Sequence, residues 1–537
     1  MLQFIPVNRL KTFAFCLLPF AFSFWLMFST FSYDGKNGAF LISDKLWSDF
    51  GSTLPLIRSF SLGSNWPIQH PLFPGEPIRY HPLFYMATGL LEKAGLRLDF
   101  GLNILSGLGF FFVLVFIFKF GQTLFSSRAV AALAVVFFLF NGSLSFLRFF
   151  NQHPVSSQTL HDIVTNSRFP SFGPWDGGPI TAFWNLNIYT NQRHLAPSFA
   201  LALALIYVLY TGNIRYSYLT GFILGSFLLL NHAVFGISLL FVGWFFLFRP
   251  RLRLPLIISA FGFLPWLAFF RYTIQISPFF NLRLGYLSPQ PVTVVSFIKF
   301  WLANFGLHLF LIPLGFLFSP RPAKVLVIPL LLLFAIPNLW QLSPDLINNH
   351  KFFNFFLILS NLYTAYFIVT IAKIGRLGIA VASILVITLT VSGIIDFFPI
   401  VNDAKLNLAD IPSNPDARFF YQSTSPRAVV LNSFWFYHPA SIAGRPIYNG
   451  YSYFTWSYGY DQVTREKQTK DIYAAPTKGL ACTLLRNSDI SYVELNSRPE
   501  GFLAPNWTMW NQEFTPLYIN PDSGIRVFSV AQNCPSV

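Results

Sequence analysis

The sequence predicts a polytopic α-helical membrane protein with a small α/β domain at its C-terminal end, and three observations support this. Hydrophobic residues make up 54% of the 537 residues and charged residues only 11%, whereas soluble domains average about 25% charged residues. Long apolar stretches recur, and a helix needs about 20 such residues to span a bilayer. Basic residues cluster between these stretches. The net charge of +15 therefore indicates membrane topology rather than nucleic-acid binding.

The basic turns set the predicted topology, because short loops rich in Lys and Arg remain on the cytoplasmic side. Such turns surround Arg9, Lys119, Arg215, Arg251 and Lys373, and they contain no acidic residue. Alternation between them gives about eleven spans with the N-terminus cytoplasmic. The first span lacks a small-residue cleavage site, so we expect it to remain as an anchor. The spans are predicted at 12–31, 100–118, 129–148, 194–211, 217–231, 233–248, 254–270, 296–318, 325–341, 353–372 and 377–397.

The predicted domains follow from this topology. Residues 1–397 form a transmembrane domain with a large first outer loop at 32–99 and a second outer loop at 149–193. Almost all acidic residues lie on this outer side. Residues 398–537 form an extracytoplasmic domain. Residues 82–94 are short for a crossing, so the sequence leaves open whether they span or form a re-entrant or interfacial helix.

The C-terminal tail alternates short β-branched runs with helical ones, which is typical of a small α/β domain. Strands are predicted at 428–431, 490–495 and 525–530. Cys482 and Cys534 form an even pair in this tail, on the side of the membrane that permits disulfides. They are a candidate disulfide.

The first outer loop carries a series of motifs. They are Trp-Ser-Asp-Phe-Gly at 47–51, Arg58, Gly63, Asn-Trp-Pro at 65–67 and Tyr-His-Pro-Leu-Phe-Tyr at 80–85. This pattern resembles the GT-C glycosyltransferases related to protein O-mannosyltransferases and lipid A aminoarabinose transferases, and the tail is similar to that of bacterial multi-pass members. In those enzymes an aspartate follows the first span, then a glycine, then a Pro-Leu-aromatic run. Asp49, Gly63 and residues 82–85 match, whereas Phe50 stands where the Asp-Glu subgroup has its second acid.

The resemblance implies transfer of a sugar from a polyprenyl-phosphate carrier on the outer face of the membrane, with inversion at the sugar carbon. Such a reaction needs a base for the acceptor's proton and positive charge for the leaving phosphate. The resemblance makes Asp49 the catalytic base, acting alone or beside a divalent metal ion. Asp162 is the candidate second acid or metal ligand. The candidate phosphate-binding residues are His81, Arg193, His194, His350 and Lys351.

Structural interpretations compete with these roles. Asp162 fits a simple loop turn, and the basic pairs at 193–194 and 350–351 lie where side chains commonly reach toward the membrane interface. His232 and His308 lie in or beside apolar segments, where ionisable groups are rare, and a structural role is favoured for both.

Three classes of function remain. A glycosyltransferase of a bacterial-type plasma membrane leads, with a glycan, lipid or protein as acceptor. A transporter or flippase explains the spans equally well, although the sequence lacks an inverted repeat. A non-catalytic assembly protein predicts no requirement for Asp49.

Overall fold

A computed structural model describes residues 7–173, 178–275 and 279–535, with residues 7–16 described as backbone only. Residues 174–177 of the second predicted outer loop and the side chain of Cys16 therefore lie outside the described residues. Contacts divide the chain into two compact units. The membrane unit contains Met1–Thr30, Asn103–Leu267 and Phe279–Ala404, and the loop–tail unit contains Phe31–Leu102, Ala268–Pro278 and Lys405–Val537.

Apolar helices coincide with each of the predicted spans. Within the described residues, five helices are long and apolar enough to cross a membrane, and a bent pair of helices raises that number to six. The five are Leu98–Phe125, Pro250–Thr273, Arg321–Leu339, Leu346–Ala372 and Arg376–Val401. The bent pair is Val294–Phe305 and His308–Phe318. The shorter apolar helices are Leu17–Thr30, Arg128–Leu139, Leu195–Thr211, Thr220–Leu230 and His232–Phe248. The predicted count of eleven spans thus stays a prediction.

Local breaks explain why several segments are shorter than the hydropathy indicates. The Asn231 side chain accepts hydrogen bonds from the N–H groups of Ala233 and Val234, at 3.1 and 3.2 Å, and so starts a new helix after Leu230. Gly306 has a φ of +53°, which favours glycine, and the helices on either side of it meet at 87°. Hydropathy averages over such breaks because the flanking residues are equally apolar.

The helix His350–Ala372 is the core of the membrane unit and is buried along most of its length. It packs against Arg128–Leu139, His308–Phe318, Val327–Leu339 and Arg376–Val401. The remaining elements of the unit are short. They are the helices Ser145–Gln152, Thr159–Thr165, Asn187–Asn191 and Ile214–Ser217, the 3-10 turns Thr181–Phe183 and Leu346–Asn349, and the paired strands Asn281–Leu282 and Trp340–Gln341.

The loop–tail unit joins the first predicted outer loop to the C-terminal tail. Strand Ala39–Ser43 pairs antiparallel with both Phe31–Asp34 and Lys405–Ala409. The predicted domain boundary at residue 397 therefore differs from the division in the structure, where residues 31–102 pack with the tail. The pairing links segments more than 360 residues apart, which local sequence patterns do not reveal.

A four-stranded sheet organises the tail. Its strands, in spatial order, are Tyr518–Asn520, Ile525–Ser529, Tyr492–Asn496 and Val430–Leu431, with the last pair parallel. Three of them coincide with the predicted strands, and Tyr518–Asn520 was not predicted. Cys482 and Cys534 form a disulfide with their Cα atoms 5.5 Å apart. The tail helices are Pro415–Ser423, Pro439–Ile442, Ser452–Ser457, Gln462–Tyr473, Lys478–Asn487, Trp507–Glu513 and Val530–Asn533.

Two helices of the first loop pack closely in the same unit. Trp47–Ser61 lies against Leu83–Lys93, and a Cβ at Gly89 would come within 2.7 Å of the Ile57 carbonyl oxygen. The segment 82–94 is thus an 11-residue helix, and it is not one of the candidate spans among the described residues. A short hairpin, Gln69–His70 with Phe73–Pro77, connects the two helices.

Candidate functional site

Asp49 lies half-buried in the first turn of the helix Trp47–Ser61. Four tyrosines lie close enough to Asp49 for its charge to act on them, of which Tyr85 and Tyr437 are buried and Tyr80 and Tyr458 half-buried. We call these the tyrosine cluster: Tyr80, Tyr85, Tyr437 and Tyr458. Two come from the first loop and two from the tail, so the fold of the loop–tail unit assembles the cluster.

The hydroxyl groups of the tyrosine cluster are tied to one another and to the Asp49 helix. The Tyr80 and Tyr85 hydroxyls lie 3.4 Å apart, and the Tyr458 hydroxyl is 3.0 Å from that of Ser52. Tyr437 donates to the Trp47 carbonyl. Burial raises the pKa of all four phenols, and the negative charge of Asp49 raises it further. They therefore stay neutral hydrogen-bond donors around a carboxylate.

Phe50 occupies the position of the missing second acid and belongs to the core. Its side chain is 0% exposed, and its ring centroid lies 4.9 Å from that of Phe31. A carboxylate there would be buried without a charge partner, which is costly. The packing of the core therefore explains why Phe50 stands where the GT-C pattern has an acid.

Other motif residues have structural roles in the loop–tail unit. Arg58 forms ion pairs with Asp410 at 3.0 Å and Glu92 at 3.3 Å. A Cβ at Gly63 would lie 2.5 Å from the Gly444 carbonyl oxygen, so only glycine allows this close approach of loop and tail.

His81, a predicted phosphate-binding residue, is 6% exposed. Its ring stacks on that of Tyr80, with centroids 3.8 Å apart. It therefore lies beside the tyrosine cluster and belongs to the loop–tail unit.

The membrane unit gathers a second group of predicted residues, which we call the basic cluster: His194, His232, His350 and Lys351. Lys351 lies near all three histidines, and His194 lies near His350. His194, His350 and Lys351 are buried, with 1%, 0% and 9% exposure. His232, assigned a structural role from the sequence, therefore joins the predicted group.

Hydrogen bonds fix the orientation of the basic cluster. The Lys351 ammonium donates to the Asn348 side-chain oxygen at 2.7 Å. His350 contacts the side chains of Asn354 at 2.9 Å and Gln192 at 3.4 Å. One ammonium and one imidazole are thus held by neutral amides.

Each member of the basic cluster lies at the N-terminal end of a helix. His194 precedes Leu195–Thr211, His232 begins His232–Phe248, and His350 and Lys351 begin His350–Ala372. Helix N-termini carry partial positive charge, which favours anions. Three such ends around one lysine form a site suited to a phosphate.

Arg193 is oriented away from such a role. Its guanidinium donates to the Met27 carbonyl at 3.2 Å, the Thr30 hydroxyl at 2.8 Å and the Asn103 side-chain oxygen at 3.0 Å. Met27 and Thr30 end the helix Val7–Thr30, where a cation is favourable. Arg193 thus positions the chain before His194.

Two acidic residues of the membrane unit differ in their burial. Asp162 is half-buried in the helix Thr159–Thr165, and its carboxylate makes no hydrogen bond or ion pair in the described part of the chain. Asp396, which the sequence analysis missed, is 2% exposed and accepts a hydrogen bond from Asn185 at 3.1 Å. It is the one acid of the predicted span 377–397, and that was the available signal.

A divalent metal ion needs several ligands at one place. Among the described residues, no three His, Cys, Asp or Glu side chains group in a way that could hold a metal. The residues around Asp49 are phenols, which do not supply the carboxylates that such an ion prefers. The described residues therefore do not form a site that fits a divalent metal ion.

The fold and these two groups of residues define a multi-pass membrane protein with a carboxylate among phenols and a buried basic cluster. No family model matches the chain, and no curated protein matches it either. The chain is similar to solved structures of an archaeal oligosaccharyltransferase.

One such structure is the oligosaccharyltransferase AglB of Archaeoglobus fulgidus in complex with an inhibitory peptide and a dolichol-phosphate. It has 12% identity and a TM-score of 0.41, over 99% of this chain and 75% of that chain. The Archaeoglobus fulgidus enzyme in its apo form has 12% identity and a TM-score of 0.42, over 90% and 69%. Its complex with zinc and sulfate has 13% identity and a TM-score of 0.40, over 96% and 73%.

Proposed function

We propose that the protein is a membrane glycosyltransferase that transfers a sugar from a polyprenyl-phosphate donor to an acceptor on the outer face of a plasma membrane. The basic cluster is the observation that carries the proposal. Lys351 and three histidines meet at three helix N-termini inside a membrane unit, and a phosphate attached to a lipid is an anion that has to be bound at the membrane.

The basic cluster binds the donor's phosphate in this proposal. Lys351 supplies the full positive charge, and ring N–H groups of His194 and His350 donate hydrogen bonds, whereas His232 donates from Nε2 to the Leu228 carbonyl at 2.9 Å. Charge-assisted hydrogen bonds to phosphate are about twice as strong as neutral ones.

Asp49 accepts the acceptor's proton. As the acceptor oxygen attacks the anomeric carbon, its O–H proton moves to the Asp49 carboxylate and the new glycosidic C–O bond forms. The bond between the anomeric carbon and the phosphate oxygen breaks with its electron pair, which leaves polyprenyl phosphate. One displacement from the opposite side inverts the sugar carbon, in line with the resemblance. The tyrosine cluster lies beside the carboxylate and surrounds it with neutral phenols.

The topology in this proposal places the N-terminus in the cytoplasm and the C-terminal domain outside. It rests on the basic turns around Arg215 and Arg251. The tail and the first loop then work on the outer face, where the candidate base Asp49 would meet an acceptor.

The test is sugar transfer by membranes that contain Asp49→Asn. The substitution keeps the size of the side chain and removes its basicity, so turnover should fall by about 10²–10⁴-fold, the usual contribution of a general base. Asp44→Asn is the control, because Asp44 is exposed in the same loop. Its activity should match the wild type. Immunoblots show that each variant is present in equal amount.

Full activity of Asp49→Asn would refute the catalytic role. If no radiolabelled sugar moves from any polyprenyl-phosphate donor and deletion leaves the surface glycans unchanged, the transferase function itself is wrong.

A further inference from the structure

A cavity of about 240 Å³ lies within the loop–tail unit. It holds the volume of about eight water molecules, which is room for one ring-sized ligand. The motif Asn-Trp-Pro at 65–67, which has no role in the transfer proposed above, forms part of its wall. The polar and aromatic lining residues are Ser59, Asn65, Trp66, Gln69, His70 and Arg427.

Internal hydrogen bonds hold one wall of the cavity in place. The Asn65 side chain donates to the Ser59 hydroxyl and to the Gln69 carbonyl, both at 2.9 Å, and accepts from the Gln69 N–H at 2.9 Å. Gln69 in turn accepts from the Gly75 N–H at 3.0 Å. Four prolines, at positions 67, 71, 426 and 446, also line the cavity. The wall is therefore preformed, which lowers the cost of binding a ligand.

Trp66 and Arg427 offer complementary chemistry at the cavity. Trp66 is 55% exposed, and its ring centroid lies 5.9 Å from that of Phe269. The Nε–H of Arg427 donates to the Ser64 carbonyl at 3.0 Å. The two terminal guanidinium nitrogens remain for a ligand. In the described part of the chain no carboxylate pairs with Arg427, and no acid lines the cavity. An aromatic face and an arginine without an ion pair together suit an apolar ring face that carries an acidic group.

His70 connects the cavity to the neighbourhood of Asp49. Its Nδ1 accepts the Leu72 N–H at 3.2 Å, so the ring proton is on Nε2, which has no partner among the described residues. The His70 ring centroid lies 5.1 Å from that of Tyr458, a member of the tyrosine cluster. The His70 ring thus belongs to the cavity wall and also lies beside the tyrosine cluster near Asp49.

We propose that this cavity binds one acidic sugar unit of the acceptor, with the sugar's C–H face on Trp66 and its carboxylate or phosphate on Arg427. The proposal rests on the proposed transferase function and names its acceptor as an acidic glycan. Sugars combine apolar C–H faces with polar groups, which matches this lining. A peptide acceptor would need main-chain partners, and prolines supply no N–H donor.

The experiment is calorimetric titration of the full-length protein in detergent with three probes: methyl glucoside, methyl glucuronide and glucose 6-phosphate. We expect the two acidic probes to bind at least tenfold more tightly than the neutral one. Arg427→Gln should remove that difference and leave the neutral glycoside unchanged. Trp66→Ala should weaken all three probes about tenfold. Arg498→Gln, which changes an exposed arginine of the same unit, should have no effect. The relative affinities of glucuronide and phosphate show which acid is preferred.

Absence of binding by all probes, or binding that both variants leave unchanged, would overturn the proposal. So would a preference for peptide probes over sugars that depends on Trp66. The two proposals fail separately. Probe binding that responds to Arg427→Gln while Asp49→Asn retains full transfer refutes the base and supports the sugar site. Loss of transfer in Asp49→Asn, together with no binding of any probe to the protein, supports the base and refutes the sugar site.

Discussion

Replacement of Arg58 by methionine tests how the first loop is held to the tail. The guanidinium of Arg58 lies 3.0 Å from both carboxylate oxygens of Asp410 and 3.3 Å from one carboxylate oxygen of Glu92. All three side chains are buried, with 7%, 10% and 12% exposure. Methionine fills much of the same volume but leaves two carboxylates without their cation. Breaking a buried ion pair in this way costs about 3–5 kcal/mol.

The pH dependence of this loss has a definite sign. Burial raises the pKa of Glu92, whereas the charge of Arg58 lowers it. Without Arg58 the pKa rises further, so the folded variant binds a proton that the unfolded chain releases at neutral pH. An acid whose folded pKa is raised loses stability as the pH increases. The deficit of Arg58→Met should therefore be smaller at about pH 5 than at about pH 8.

Thermal unfolding in detergent, followed by tryptophan fluorescence, measures both effects. A loss of about 3–5 kcal/mol in a unit of roughly 200 residues lowers Tm by about 6–20 °C. Lys470→Met is the matched control, because Lys470 pairs with Glu466 in the same unit and the two side chains are 45% and 29% exposed. Such pairs contribute about 0–1 kcal/mol. Equal Tm values for the two variants, or a deficit that grows toward acid pH, would refute the reasoning.

Two further predictions concern the loop–tail unit. Cys482 and Cys534 should be found as a disulfide when the mature protein is alkylated and analysed by mass spectrometry, and two alkylated thiols would contradict this. Gly63→Ala should cost about 1–3 kcal/mol in thermal unfolding, because its Cβ would lie 2.5 Å from the Gly444 carbonyl oxygen. Gly479→Ala, where nothing lies within 4 Å, should instead stabilise by about 0.4–1 kcal/mol; the same change for both variants would show that the close approach is unimportant.

The sequence predicted the features that depend on local pattern. Apolar helices coincide with the predicted spans because hydropathy depends on neighbouring residues, and strands such as Tyr492–Asn496 followed from their β-branched content. Helix breaks were missed where a single residue decides. The predicted span 296–318 is broken at Gly306, which has a φ of +53°, and that glycine was the local signal within a continuous apolar stretch.

The candidate site was harder to predict because it depends on contacts between distant segments. His194 and Lys351 were predicted as phosphate-binding residues because they are basic residues on the predicted outer side, but His232 was assigned a structural role because an isolated histidine carries no pattern. Its membership of the basic cluster follows from the packing of three helix N-termini. The tyrosine cluster has no sequence signal, since Tyr80 and Tyr458 are nearly 380 residues apart.

Binding of a short-chain polyprenyl monophosphate to the purified protein tests the central claim most directly. Lys351→Met removes the only full charge of the basic cluster, and a charge-assisted hydrogen bond contributes about 1.5–3 kcal/mol. The account predicts that Kd rises about 10- to 100-fold in Lys351→Met. Kd should be unchanged in Asp49→Asn and in Lys119→Met, a control on an exposed lysine of the membrane unit. Equal affinity of Lys351→Met and the wild type would contradict the assignment of the basic cluster to the lipid phosphate.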